Sequence, residues 1–225
     1  MMSHNIIPRR AVWMAHFGFI AAGLCMTPAS AQGLFGPGKF KIEQVDDRFS
    51  IEPSTMIMGR NNRISKKSPV GGIYTNAQGL YLEPLVIKSR ADGTIVKIGF
   101  LFHNETTLDT TYGSPNSLGI PRKVSFLLND SRLIAAPVTQ GTKEFGEGMF
   151  YNTISNSASS SIHEAGMVLL SSADMAAIAS ATSVSIKIEG STRSVIYESR
   201  DIAKTFLPNI ASFYGREIGG QKAGH

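Results

Sequence analysis

His103 and His163 are the two histidines inside the body of the chain, and by type they are its best candidates for proton transfer or metal ligation. A zinc site of the H-E-x-x-H kind needs two histidines one helical turn apart, so that both rings reach one ion. The segment His163-Glu164-Ala165-Gly166-Met167 supplies the first half and places Met167 where the second histidine is required. Its glycine and serine neighbours also disfavour a helix, and no metal is expected. Serine chemistry has no G-x-S-x-G elbow and no S-x-x-K pair to build on. A P-loop and a G-x-G-x-x-G turn are missing too, so neither a nucleotide nor another cofactor is expected. Asp46, Asp47, Glu83, Glu105, Asp109, Glu144 and Glu147 could serve as an acid and base pair only if two of them faced each other across a substrate. They read instead as solvated surface acids. Catalysis survives as the alternative in one form, a periplasmic hydrolase whose site gathers remote residues such as His103, His163 and Glu164.

Binding has two better candidates. Residues 59–69 carry Arg60, Arg63, Lys66 and Lys67 without a single acid. Such a window can attract phosphate or sulfate groups, as on an anionic glycan, although it has no aromatic side chain for stacking and also reads as a solvated loop. Phe150 and Tyr151 stand between a glycine-rich and a serine-rich segment, which makes them the aromatic residues that core packing explains least.

The elements that must position these residues are mostly strands. Residues 80–88 are rich in Leu, Val, Ile and Tyr, with Pro84 suggesting an edge or a bulge. Asp92-Gly93 then turns the chain into 94–103, where Val96, Ile98, Phe100 and Phe102 alternate onto one face and are expected in the core. Residues 104–121 read as a long loop. A second hairpin follows, with Val124, Phe126 and Leu128 alternating before an Asn129-Asp130-Ser131 turn. Between residues 152 and 161, eight of ten are Asn, Ser or Thr, which reads as a linker.

Local signals agree best in 171–214. Ser171 and Asp174 form an S-x-x-D capping box ahead of a helix, residues 183–189 alternate as a strand, and Gly190-Ser191 returns the chain into a second strand. Ile202, Ala203, Phe206, Leu207, Ile210, Phe213 and Tyr214 then share a helical stripe that Pro208 should kink or split, with Gly215 as its cap. Ile178, Val184, Ile186, Ile188, Phe206 and Ile210 are expected to be buried together. The fold class is therefore α+β: mainly antiparallel β in sandwich-like sheets, with a C-terminal helix-hairpin-helix element.

At the amino terminus, Arg9 and Arg10 precede an apolar run over 11–26 and an Ala29-Ser30-Ala31 motif, the pattern of a cleaved signal peptide. Residues 1–31 are expected to be removed, leaving no transmembrane anchor. Then come a flexible leader (32–39), one β-rich domain (40–215) and a flexible tail (216–225). Cys25 falls within the signal segment, so the exported chain has no cysteine and must hold together by its core. It keeps 20 basic and 17 acidic residues, a slight excess that suits solubility and hints only weakly at anionic partners such as nucleic acid or a membrane surface. The expected activity is non-catalytic binding, in the periplasm or at the cell envelope, with an envelope protein or anionic glycan as partner. A structural part in an envelope assembly is a further alternative.

Overall fold

Alternating side chains dominate the middle of this chain, and in the structure almost every such stretch is a strand with antiparallel neighbours. The computed structural model describes residues 38–47, 54–74, 77–146, 148–154 and 156–220; the expected signal peptide and nearly all of the leader lie outside them. The strands are β1 (Lys41–Asp47), β2 (Ser54–Arg60), β3 (Gly79–Ser89), β4 (Ile95–Asp109), β5 (Pro121–Leu128), β6 (Arg132–Phe145), β7 (Phe150–Asn152), β8 (Ser157–Leu170), β9 (Val184–Gly190) and β10 (Ser194–Tyr197). Helix α1 (Ser172–Ser180) follows β8, and α2 (Phe206–Glu217) follows a short 3-10 turn at Ser199–Asp201. The spatial order is β1-β2-β3-β4-β8-β6-β5-β9-β10, with β7 also on β8. The class is α+β, dominated by antiparallel sheet.

β6 belongs to two ladders. Its residues from Arg132 to Pro137 pair with β5, and those from Val138 to Phe145 pair with β8. Between the two lies a register slip at Thr139/Thr142, where Gln140 takes a positive φ of 55°. The extra residue there re-aims the second half of the strand. Asn129 and Asp130 at the β5–β6 turn have φ of 49° and 53°, the left-handed pair that a tight hairpin needs. Asn129 Oδ1 also accepts from the backbone N–H groups of Thr182 and Ser183, which ties this turn to the start of β9.

The main core lies on one face of the sheet and is closed by the helices. Phe100, Phe102, Val124 and Phe126 from the strands meet Met175 from α1 and Phe213 from α2. Ile178, Val184, Ile186, Ile188, Phe206 and Ile210 belong to the same buried cluster, as their periodicity requires. Ser171 caps α1, accepting from the backbone N–H of Asp174 and donating to its carboxylate. On the opposite sheet face Met58, Leu85 and Leu101 form a second, smaller buried cluster.

Several expectations need correction. Val96 is 57% exposed, because β4 gains its second neighbour, β8, only from Ile98 onward. Residues 104–109 continue β4 rather than opening a long loop, since pairing with β8 overrides their weak strand propensity. Residues 157–161 are strand and not linker, held between β4 and β7. Pro84 lies inside the sheet, but the β2–β3 ladder ends at Met58↔Leu85, so its missing N–H falls just beyond the pairing. Pro208 does not kink α2; it sits in the first turn, where backbone N–H groups have no intrahelical partner anyway. The helix runs past Gly215 to Glu217, and Ile218 packs into the core, so residues 216–218 belong to the folded body and not to a tail. β2 is an element that the sequence did not announce.

Candidate functional site

Strand periodicity assembles the histidines. His103 and Glu105 are two apart on β4 and so share a face, the one turned away from the helices. Across one ladder His103 pairs with Tyr81 of β3, and across the other Glu105 pairs with His163 of β8. Glu83, two residues after Tyr81, joins the same face. The result is a row of alternating acidic and basic side chains that runs across five strands, from β8 to β1. His163 Nδ1 stands 2.7 Å from Glu105 Oε1, which is 3.4 Å from His103 Nδ1. His103 Nε2 is 3.3 Å from Glu83 Oε1, and Glu83 Oε2 accepts from an Arg60 guanidinium nitrogen at 3.1 Å. Arg60 reaches on to Glu43 of β1 at 3.4 Å.

Packing fixes the middle of this row. The Tyr81 ring lies flat on His103, centroids 4.4 Å apart and planes within 3°. The Tyr81 hydroxyl accepts from Arg63 Nε and donates to the Ala77 carbonyl. Burial alone would push His103 down, but the carboxylates of Glu105 and Glu83 outweigh it and raise the imidazole to about 9. Burial would likewise raise Glu105, and the two histidines outweigh that, holding it at about 2. Glu83 is lowered in the same way, burial being overcome by His103, Arg60 and the backbone N–H of Asn61. The His103 nitrogens meet their carboxylates as ion pairs, without the alignment of hydrogen bonds. At neutral pH His103 is therefore a clamped cation with no free lone pair. His163 Nε2 is buried and has no hydrogen-bond partner among the described residues. Among the described residues no group of three or more His, Cys, Asp or Glu is placed to hold a metal ion.

Glu164 is next in sequence to His163 and therefore points the other way, into the core, where it is fully buried. Its carboxylate accepts from Asn104 Nδ2, the Ser117 hydroxyl and the backbone N–H groups of Leu118 and Gly119. Lys143 Nζ approaches to 4.0 Å. The loop before β5 is thus cradled around one acid, and Leu118 is carried into the core. Gly119 permits this with a φ of +80° and a Cβ direction blocked by Ser191 Oγ at 2.3 Å. Glu164 does not join the histidines; it is an anchor.

The cations of 59–69 are not brought together as one patch. Arg60 is spent on Glu83 and Glu43. Arg63 is buried, stacked over Tyr81 and bonded to the Gln78 carbonyl. Lys67 pairs with Asp201 at 3.1 Å, and Lys66 is exposed. Phe150 and Tyr151, by contrast, are both open to solvent, 81% and 62% exposed, on β7. Met149, Ile154, Phe145 and Tyr112 are exposed with them, the last in the turn after β4 that bonds through Thr110 to Ala158 of β8. Two open grooves of about 500 and 580 Å³ flank the helices, and neither is lined by the histidines or by Phe150 and Tyr151.

Sequence reasoning took Glu83 and Glu105 for solvated surface acids. The signal that would have found them is the two-residue spacing Tyr81/Glu83 and His103/Glu105 on strands joined by a hairpin. Comparison with known proteins adds no relative: no family model, no curated protein and no solved structure matches the chain.

Proposed function

We propose that this chain is an exported protein of the periplasm or cell envelope that acts by binding, and that the end of the molecule bearing Phe150 and Tyr151 is its contact surface. The observation that carries this reading is the exposure of Met149, Phe150, Tyr151 and Ile154 along one short hairpin, 62% or more for each. Contiguous exposed apolar side chains of this kind mark interaction sites. The ordinary signal-peptide pattern of residues 1–31 supports export, and among the described residues no helix is long and apolar enough to cross a membrane. The architecture that goes with this reading is sandwich-like and closed by the C-terminal helix-hairpin-helix element, supported by the passage of β6 from one ladder to the other. Envelope fractionation tests it. The processed chain should be retained with the envelope, and Phe150→Ser with Tyr151→Ser should release it while leaving the thermal unfolding midpoint in place. Equal retention of parent and variant would overturn the assignment of this surface.

A hydrolase is the second reading, and one observation favours it. Glu105 holds His163 by Nδ1, and its buried Nε2 has no hydrogen-bond partner among the described residues, an arrangement that orients an imidazole as a base for a group that reaches it. His103, held protonated, is not available for that role. Hydrolysis of a panel of simple esters by the parent and not by His163→Asn would establish it; equal rates would dismiss it.

A further inference from the structure

Resting on the reading that the β7 end is a contact surface, we propose that its partner is a lipid bilayer, into whose interfacial layer the hairpin tip inserts. Three observations converge on lipid. Phe150 and Tyr151 are consecutive strand residues and so point to opposite faces, yet both are exposed. Residues 148–154 are all exposed, while on the opposing strand Ser157 is buried. A surface that docks on a protein is usually one-sided, whereas large apolar side chains exposed on both faces of one strand suit a medium that surrounds it.

Charge is the second. From Gly148 to Ile162 there is no Asp, Glu, Lys, Arg or His, a run of 15 residues. In sequence the run is bounded by Glu147 and His163, and Lys143, Glu144 and Asp109 stand at its base. A charge-free tip above a charged base complements a membrane surface, where a buried charge is costly and a charge at headgroup level is not. Aromatic side chains favour that level, and Ile154, 97% exposed at the turn, would sit deepest.

Polar satisfaction is the third. The β7 residues Phe150, Tyr151 and Asn152 pair with Ser159, Ala158 and Ser157. Asn152 Oδ1 accepts from the backbone N–H of Ile154, and the Tyr151 hydroxyl donates to Asn156 Oδ1. Ala158 and Thr110 exchange two further hydrogen bonds across to the neighbouring turn. These bonds satisfy part of the polar groups that the tip would carry into the interface. The outer edge of β7 has no strand partner among the described residues, which limits entry to the hydrated interface and excludes the hydrocarbon core.

Fluorescence reads this directly, because Trp13 is the single tryptophan. In the full chain carrying Trp13→Phe, Phe150→Trp places one reporter on the hairpin, and Leu133→Trp places a control at the opposite end of β6, where Leu133 is also exposed. With neutral phosphatidylcholine vesicles, the reporter at 150 should shift to the blue, lose iodide quenching and be quenched by a shallow lipid-borne spin label. Raised salt should leave this unchanged, and the control should stay aqueous. Membrane contact by the apolar run of 11–26 leaves a reporter at 150 silent. Phe150→Ser, Tyr151→Ser and Ile154→Ser together should lower the vesicle partition coefficient about tenfold or more. A reporter at 150 that keeps its aqueous emission and full iodide quenching, in a chain with parental circular dichroism, overturns the proposal. If fractionation nonetheless depends on the hairpin, the contact-surface reading stands and its partner is a protein.

Discussion

Glu105 Oε1 lies 2.7 Å from His163 Nδ1 across the β4–β8 ladder, and the same oxygen faces His103 at 3.4 Å. One carboxylate thus sits between imidazoles from adjacent strands, and stability must follow its protonation and that of His103. His103, raised from 6.5 to about 9, contributes stability that is complete below about 6.5 and lost as pH climbs through about 9. Glu105, held down to about 2 from 4.5, contributes stability that is complete above about 4.5 and lost as pH falls through about 2. The urea midpoint should therefore be level between these limits and fall on the alkaline side, by at most about 3 kcal/mol in unfolding free energy. In His103→Gln the alkaline fall should vanish. A parent midpoint that is flat from neutral pH to beyond 9 would show that the clamp stores no such energy.

Glu164 makes a different forecast because its donors are the loop itself. Replacing it by Leu leaves the buried Leu118 N–H and the Ser117 hydroxyl without their acceptor, the Gly119 N–H with only a 3.4 Å contact to Ser117 Oγ, and the Asn104 amide with only the Asn116 carbonyl. Each such loss costs about 1–3 kcal/mol, so Glu164→Leu should cost about 3 kcal/mol or more. Glu164→Gln retains one acceptor oxygen and should cost less. Amide hydrogen exchange at Leu118 and Gly119 would separate the two cases: fast exchange in Glu164→Leu with the rest of the sheet protected is the expected pattern. Unchanged protection would mean that the loop is held by the Leu118 side chain instead.

What could be read from the sequence followed from period and capping. Phe100, Phe102, Val124 and Phe126 alternate, Ser171 precedes its helix, and each is where local rules put it. The serine tract of β8 was opaque because serine carries no apolar period; β4 makes it a strand by offering a ladder. Pro208 misled for a related reason, since its cost depends on its distance from the helix start, which no stripe of apolar residues marks. The histidine row was legible only in halves. Spacing puts His103 beside Glu105, but the neighbour that brings His163 is chosen by topology, by β8 crossing to lie against β4.

The first-turn position of Pro208 can be checked by substitution. Were the proline bending α2, Pro208→Ala would straighten the helix and disturb the packing of Phe206, Ile210 and Phe213. In the first turn it costs no intrahelical bond, so Pro208→Ala should change stability by less than about 1 kcal/mol, read from the urea midpoint. Phe213→Ala, in the same helix but fully buried, should cost about 3–5 kcal/mol. A comparable loss for both would place the proline in a load-carrying kink.

The basic window yields the sharpest contrast between a patch and a set of internal pairs. If Arg60, Arg63, Lys66 and Lys67 acted together on a sulfated glycan, removing any one would weaken retention on such a column, and all four would matter alike. The structure divides them. Arg60 neutralises the buried Glu83, so Arg60→Ala leaves an acid nearly without solvent and should cost about 2–3 kcal/mol of stability. Lys67 holds Asp201 at the surface, a pair worth less than about 1 kcal/mol. Lys66 is exposed, and Lys66→Ala should be neutral in stability. Retention on the glycan column should be weak for the parent and unaltered by Lys66→Ala with Lys67→Ala. Strong, salt-sensitive retention lost in that double variant, whose fold is not at risk, would restore the window as a polyanion site.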